Sequence, residues 1–216
     1  TTGVSGVVSA ANSLVGSTSN DKVGQGDDVT ALKNGNYVVR SQSWDNGAAT
    51  NAGAVTFGNG TTGVSGVVST ANSLVGSTAN DFVGSGGVTA LTNGNYVVGS
   101  SSWDNGAATD AGAVTFGNGT TGVKGLVSSV NSLVGASAFG QVGSGGVTAL
   151  TNGNYVVSSW RWNNGAATNA GAVTFGVGTT GVSGVVSVSN SLVGSTANDF
   201  VGGNGVTVLT NGNYVV

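Results

Sequence analysis

The string Asn-Gly-Asn-Tyr-Val-Val occurs four times, at Asn34–Val39, Asn93–Val98, Asn152–Val157 and Asn211–Val216, each 59 residues after the last. Self-similarity at a fixed period of this length marks a repeat architecture, in which one supersecondary unit cannot bury its apolar face alone and relies on its neighbours. The copies run approximately over 1–60, 61–119, 120–178 and 179–216, the last incomplete, and together they read as a single repeat domain. The only change of register is one extra residue near Asp27 and Asp28 in the first copy.

Each copy carries its own punctuation. Thr-Asn-Gly-Asn stands between two Val-rich runs, Val88–Leu91 and Tyr96–Ser100. Asn and Gly take positive φ at little cost, so this segment predicts a hairpin. A Trp-containing loop with Asp104-Asn105-Gly106 follows, and Ala111–Phe116 reads as a third strand. A fourth strand region, Val123–Ser128 in the third copy, extends as far as Leu133-Val134 or forms a hairpin of its own. No stretch keeps a helical period over ten residues, and each Gly would cost a helix roughly 1 kcal/mol relative to Ala. The fold class expected is all-β.

Composition bears on whether such a chain folds at all. Gly supplies 41 residues, and Pro, His, Cys, Met and Glu are absent, which is a pattern compatible with disorder. Against that, the apolar residues are mostly Val, with Leu and aromatic rings at fixed places, so β-branched strands have something to bury. The net charge of −3 is too small to hold the chain open. It also leaves no basic patch, so neither nucleic acid nor an anionic membrane surface is expected as a partner. No stretch is long and apolar enough to insert in a bilayer as a helix. Without Cys there is no disulfide framework and no thiolate site. The chain does not begin with Met, which suggests a piece of something longer.

Two architectures fit four short antiparallel strands repeated at fixed spacing. A β-propeller-like array of four-stranded blades of ~59 residues is the first, and a β-solenoid with about three coils per period is the alternative. The internal echo, Leu74-Val75-Gly76-Ser77 against Val97-Val98-Gly99-Ser100, comes at uneven offsets and favours the propeller.

The order of motifs in the second copy also resembles a known family. Leu74 to Gly84 contains Asn80-Asp81-Phe82-Val83-Gly84, and Gly94 to Gly99 ends in Val97-Val98-Gly99. Trp103-Asp104-Asn105-Gly106 and Asp110-Ala111-Gly112-Ala113-Val114 then follow. This succession is similar to the FG-GAP repeat of integrin-α-type β-propellers, and to degenerate repeats of long bacterial surface proteins related to filamentous haemagglutinin. The resemblance implies a propeller fold in a secreted, extracellular, adhesin-like setting. Three departures stand out. Val83 replaces the Phe of the Phe-Gly pair, Ser100-Ser101 replaces Ala-Pro, and Asn34-Gly35-Asn36 with its equivalents replaces the family's acidic calcium loop. No metal or other cofactor is therefore expected.

Catalysis needs groups that attack or move protons, and there is no His or Cys. The Asp residues recur at equivalent loop positions, Asp21, Asp81 and Asp199 in one loop, Asp45 and Asp104 in another. They read as turn formers. Asn163 stands in place of the acid in the third copy, and an enzyme is not expected. Asp27-Asp28 reads as an exposed insertion, with a hard-cation site as the alternative. Arg40, Arg161, Lys22, Lys33 and Lys124 read as solvated surface.

The Trp loops are the candidate binding surface. Trp44, Trp103 and Trp162 sit beside Asp45, Asp104 and Asn163, and Trp160 adds a second ring in the third copy. A ring next to Asp or Asn suits a sugar, whose C–H face packs on the aromatic while its hydroxyls meet the polar groups. The competing reading makes the rings core between neighbouring units, with their N–H groups bonded locally. The functional expectation is a non-catalytic structural or adhesive module. Its alternatives are a glycan-binding lectin using the Trp loops, with a glycan or protein ligand, and a filament subunit self-associating through open strand edges. In the self-contained form of the last idea, Gly3–Val15 joins the last blade beside Tyr214–Val216.

Overall fold

A computed structural model of the chain describes residues 3–26 and 28–216. The protein is all-β: among the described residues there are strands and turns and no helix. Each complete sheet is an antiparallel meander of four strands, three from one copy and the fourth from the next. In the middle sheet these are Gly87–Ala90, Tyr96–Ser100 and Ala113–Gly117 of the second copy and Ser132–Val134 of the third, hydrogen-bonded in that order. The expected hairpin is present, with Val88 opposite Val98 across the Asn93-Gly94-Asn95 turn. Gly94 takes φ +89° there, and Asn93 Oδ1 accepts the N–H of Asn95 at 3.1 Å. Tyr96 stands opposite Gly117, and its ring occupies the space a Cβ at Gly117 would need. The third and fourth strands pair through Val114 opposite Leu133, and the hydroxyls of Thr115 and Ser132 meet at 2.7 Å inside the sheet.

The fourth strand region behaves differently from either expectation. It is two separate strands that serve two different sheets. In the third copy, Gly125–Leu126 pairs in parallel with Leu74-Val75 of the preceding sheet, and Ser132–Val134 closes its own. The same two-residue reach recurs at Gly66–Val67 onto Leu14-Val15, and at Gly184–Val185 onto Leu133-Val134. The fourth strands Leu14–Val15, Ser73–Val75 and Ser132–Val134 thus each receive a short parallel cap from the following copy, which pairs an edge that would otherwise be an open template. Ser191–Val193 has no such cap among the described residues. The N-terminal segment does not join the last unit, which corrects that expectation. Leu14–Val15 pairs with Gly66–Val67, and Tyr214–Val215 pairs with Thr207–Val208.

The core lies between successive sheets. Along the second strand, Tyr96 and Val98 pack with Val38, Val55 and Leu74 of the sheet before. The intervening Val97 packs with Val114 and Leu133 against Tyr155 and Val157 of the sheet after. This is the period of two that lets a strand bury both faces. The unit is therefore a sheet and not a coil of about twenty residues.

Polar groups also bind neighbouring copies. The Asn93 and Asn95 amides both donate to the carbonyl of Gly178, at 2.7 and 2.8 Å. Asn154 Oδ1 accepts the N–H of that same residue at 2.9 Å. Asn34, Asn36 and Asn95 hold Gly119 in the same way. One glycine, through both its N–H and its C=O, is thus clamped by two successive Asn-Gly-Asn turns.

Candidate functional site

The Trp loops leave the second strand at Ser100 and return at Gly112, whose N–H donates to the carbonyl of Trp103 at 2.9 Å. Asn105 and Ala108 exchange two backbone hydrogen bonds at the tip, and the Asn105 amide reaches the carbonyl of Gly135 at 2.8 Å. The loop is thereby fixed at its base, its tip and one flank. Its ring turns inward. Trp44, Trp103 and Trp162 are only 3%, 4% and 6% exposed. Each fills a core cluster, Trp103 between the first and second complete sheets and Trp162 between the second and third. A ring that solvent does not reach cannot serve as a sugar platform, so the binding role expected of these three is corrected to core packing. The local partner expected for their N–H groups is missing as well. Nε1 of Trp44 and of Trp103 has no acceptor among the described residues.

Asp45 and Asp104 are turn formers. Asp104 Oδ1 accepts the N–H of Asp110 at 2.8 Å, and Asp45 Oδ1 accepts that of Asn51 at 2.8 Å. Behind each stands a second acid. Asp81 is buried, accepts the N–H groups of Ser77 and Thr78 through one oxygen, and accepts that of Asp104 through the other. Burial pushes the Asp81 carboxyl up, aided by the negative charge of Asp104 and opposed by those three hydrogen bonds. In the first copy burial raises Asp21 too, but there the bonds from Thr18, Asp45 and Ser17 outweigh it and the net shift is downward. The pair acts as a brace, tying the loop before Val83 to the Trp loop. In the third copy both acids are gone together, replaced by Gly140 and Asn163. Asn163 reaches Ser137 Oγ and the Ala138 carbonyl at 3.4 and 3.3 Å instead.

Asp27 lies outside the described residues, so the hard-cation alternative is not placed. Asp28 forms an ion pair with Arg40 at 2.6 Å. Arg40 also donates to the carbonyl of Gly84 at 3.1 Å, which corrects its reading as free surface. No group of three or more acids among the described residues is arranged to hold a metal ion.

Trp160 differs from the other three indoles. It is partly exposed, its ring centroid lies 5.9 Å from that of Phe200 at 56°, and the Arg161 guanidinium lies 4.6 Å over it. Trp160, Phe200, Gly203 and Asn204 bound a shallow concavity of about 340 Å³. Sequence reasoning placed Trp160 with the other rings. The signal that separates it is that the second copy has Ser101 at the equivalent position, whereas Trp162 matches Trp103.

The strands, the turns and the 59-residue stacking agree with a family model described as a repeat of unknown function (DUF5650). It matches residues 1–25, 31–85, 90–144 and 149–203. The chain belongs to this repeat family. Successive full matches begin 59 residues apart, each running from the end of a first strand to the loop that precedes the next one. A search of curated proteins returns no match.

Proposed function

We propose that this chain is a non-catalytic structural repeat module of a secreted bacterial surface protein, working as a scaffold whose copies hold one another in register. The observation that carries the reading is the use made of the polar loop residues. Asn34, Asn93 and their equivalents, and the Asp81–Asp104 brace, are hydrogen-bonded to backbone within the array. A side chain used in this way is not free to act on a substrate. The finer likeness, to FG-GAP propellers of the integrin-α type, draws support from the four-stranded antiparallel sheet and from the Val83-Gly84 turn, where Gly84 has φ +90°. The calcium of that family has no place in this reading, because the Asn-Gly-Asn turns offer amides and no carboxylate.

The scaffold reading is tested by deleting one 59-residue period, residues 90–148, and by Asn93→Ala in the full chain. A stacked scaffold loses stability on both changes, the second by roughly 1–3 kcal/mol for the lost hydrogen bonds. Unchanged denaturation midpoints would mean that the copies stand alone. Immunodetection in cell fractions tests the setting, and recovery only from the cytosol would overturn it.

A second reading, association of chains end to end, is favoured by one observation. Val8 is 73% exposed, whereas its equivalents Val68, Val127 and Val186 are buried. At the opposite face Leu192 is 59% exposed, whereas Leu74 and Leu133 are buried. The two faces are the two halves of the interface that joins neighbouring copies. Light scattering on the 216-residue chain tests this, and a monomer at high concentration would refute it.

A further inference from the structure

We propose that Trp160, Phe200, Arg161 and Asn204 form a binding site for an acidic sugar, a hexuronic-acid residue of a polysaccharide. This goes beyond the scaffold reading, which does not depend on it. The first argument is that the site is built by coordinated differences confined to one place in the array. Trp160 stands where the other copies have Ser101 and Gln42, and Arg161 where they have Ser102 and Ser43. Gly203 replaces Ser85 and Ser144, and Asn204 replaces Gly86 and Gly145. Gly203 lies beside Trp160: a Cβ there would sit 3.7 Å from Trp160 Cβ, at ordinary contact distance.

The second argument is exposure that stacking does not remove. Phe200 is 41% exposed and Trp160 is partly exposed. The equivalent positions of inner copies, Gln141 and Ser101, also remain in contact with solvent, so a neighbouring copy does not cover this patch. It is thereby distinguished from Leu192, which belongs to the face between copies.

The third argument is chemical. The Phe200 ring, tilted at 56° to Trp160, offers an electron-rich face to the weakly positive C–H groups of a pyranose. Trp160 carries the Arg161 guanidinium on its own face and holds it at the site, and 340 Å³ falls within the usual range of small-ligand pockets. Arg161 supplies the selectivity. Among the described residues its guanidinium has no carboxylate partner, and its fork of donors suits a carboxylate. The nearest acid in sequence, Asp199, is turned into its own loop and accepts the N–H groups of Ser195 and Thr196 at 2.9 and 2.8 Å. Asn204 adds amide donors and an acceptor for hydroxyl groups.

The test is calorimetric titration of the 216-residue chain with a hexuronate trisaccharide and with a neutral hexose trisaccharide of the same linkage. The expected result is binding of the acidic sugar at least tenfold tighter than the neutral one. Trp160→Ser should abolish it, and Arg161→Ser should remove the preference for acid. Both changes install residues that the second copy already carries at these positions, and Phe200→Gln, the third copy's residue, serves as an independent loss variant with its fold checked by circular dichroism. No binding by the wild-type chain, equal binding of the two sugars, or binding unchanged in Trp160→Ser and Phe200→Gln would overturn the proposal.

Discussion

Gly112 is where the backbone of one loop leans on another, and replacing it by Ala isolates that contact. It has φ +78°, and a Cβ there would meet the backbone N of Val142, with Val142 O at 2.6 Å and Gln141 C at 2.7 Å. None of these atoms is the free end of a flexible side chain. Two penalties add. Holding an L-residue at left-handed φ costs about 1–2 kcal/mol, and forcing a methyl into a filled space costs about 1–3 kcal/mol. The sum is roughly 2–5 kcal/mol. Gly106 is the control, because it has φ +62° and nothing within 4 Å of the added methyl. Gly106→Ala should cost only the first penalty. Urea denaturation followed by the fluorescence of the buried indoles gives both numbers, and the difference between the variants measures the close approach alone. If the two substitutions cost the same within about 0.3 kcal/mol, the space argument is wrong and only the φ argument survives. A Gly112→Ala chain as stable as the parent would remove both.

Four further outcomes are expected. Phe139 is 64% exposed at φ +59° where the other copies have Asn20, Asn80 and Asn198, so Phe139→Asn should stabilise the chain by about 0.5–1 kcal/mol, read as a rise in the urea midpoint. Burial lifts the phenols of Tyr96 and Tyr155 from 10 to about 12. The unfolded chain therefore loses these protons first as pH rises from 10, and stability should fall between pH 10 and 12 by roughly 2–3 kcal/mol per ring, followed by ultraviolet titration. Trp103→Ala should cost about 3–5 kcal/mol in chemical denaturation and leave any sugar binding intact, as befits a core ring. A calcium chelator should leave the thermal midpoint unmoved, and a drop of ten degrees would show the Asn-Gly-Asn turns to be misread.

What could be read in advance divides along the range of the interactions. The hairpin at Asn93-Gly94-Asn95 was legible because its turn chemistry is local. The strands Tyr96–Ser100 and Ala113–Gly117 announced themselves through apolar runs of about strand length. The split of the fourth region was not legible. A two-residue strand such as Gly125–Leu126 has no period, and its partner Leu74-Val75 lies about fifty residues earlier in another sheet. The Trp loops show the same limit. Trp160 and Trp162 have similar neighbours in sequence, but one ring is partly exposed and the other is enclosed against the preceding sheet with Val97, Val114 and Leu133, a difference decided by residues distant in the chain. Arg40 read as surface because its partner, Asp28, is set by the pairing of the first two strands of its sheet, Val29 opposite Val39.

The reach of Gly125–Leu126 onto the strand of an earlier copy has a consequence for how such chains change over generations. Every interface joins residues of one period to those of the next, so duplicating or losing a whole period recreates the same junction at the new seam. Recombination between near-identical stretches of coding sequence therefore alters length while keeping the same junction, whereas an insertion within a strand or its cap would shift the register of that pairing. Array length is free to drift, and inside the period an extra residue is accommodated ahead of a strand, as near Asp28 before Val29–Ala31. Individuality can then enter only by point substitution at solvent-facing positions, so that a single copy comes to differ from its siblings in what it displays while remaining interchangeable with them in how it stacks.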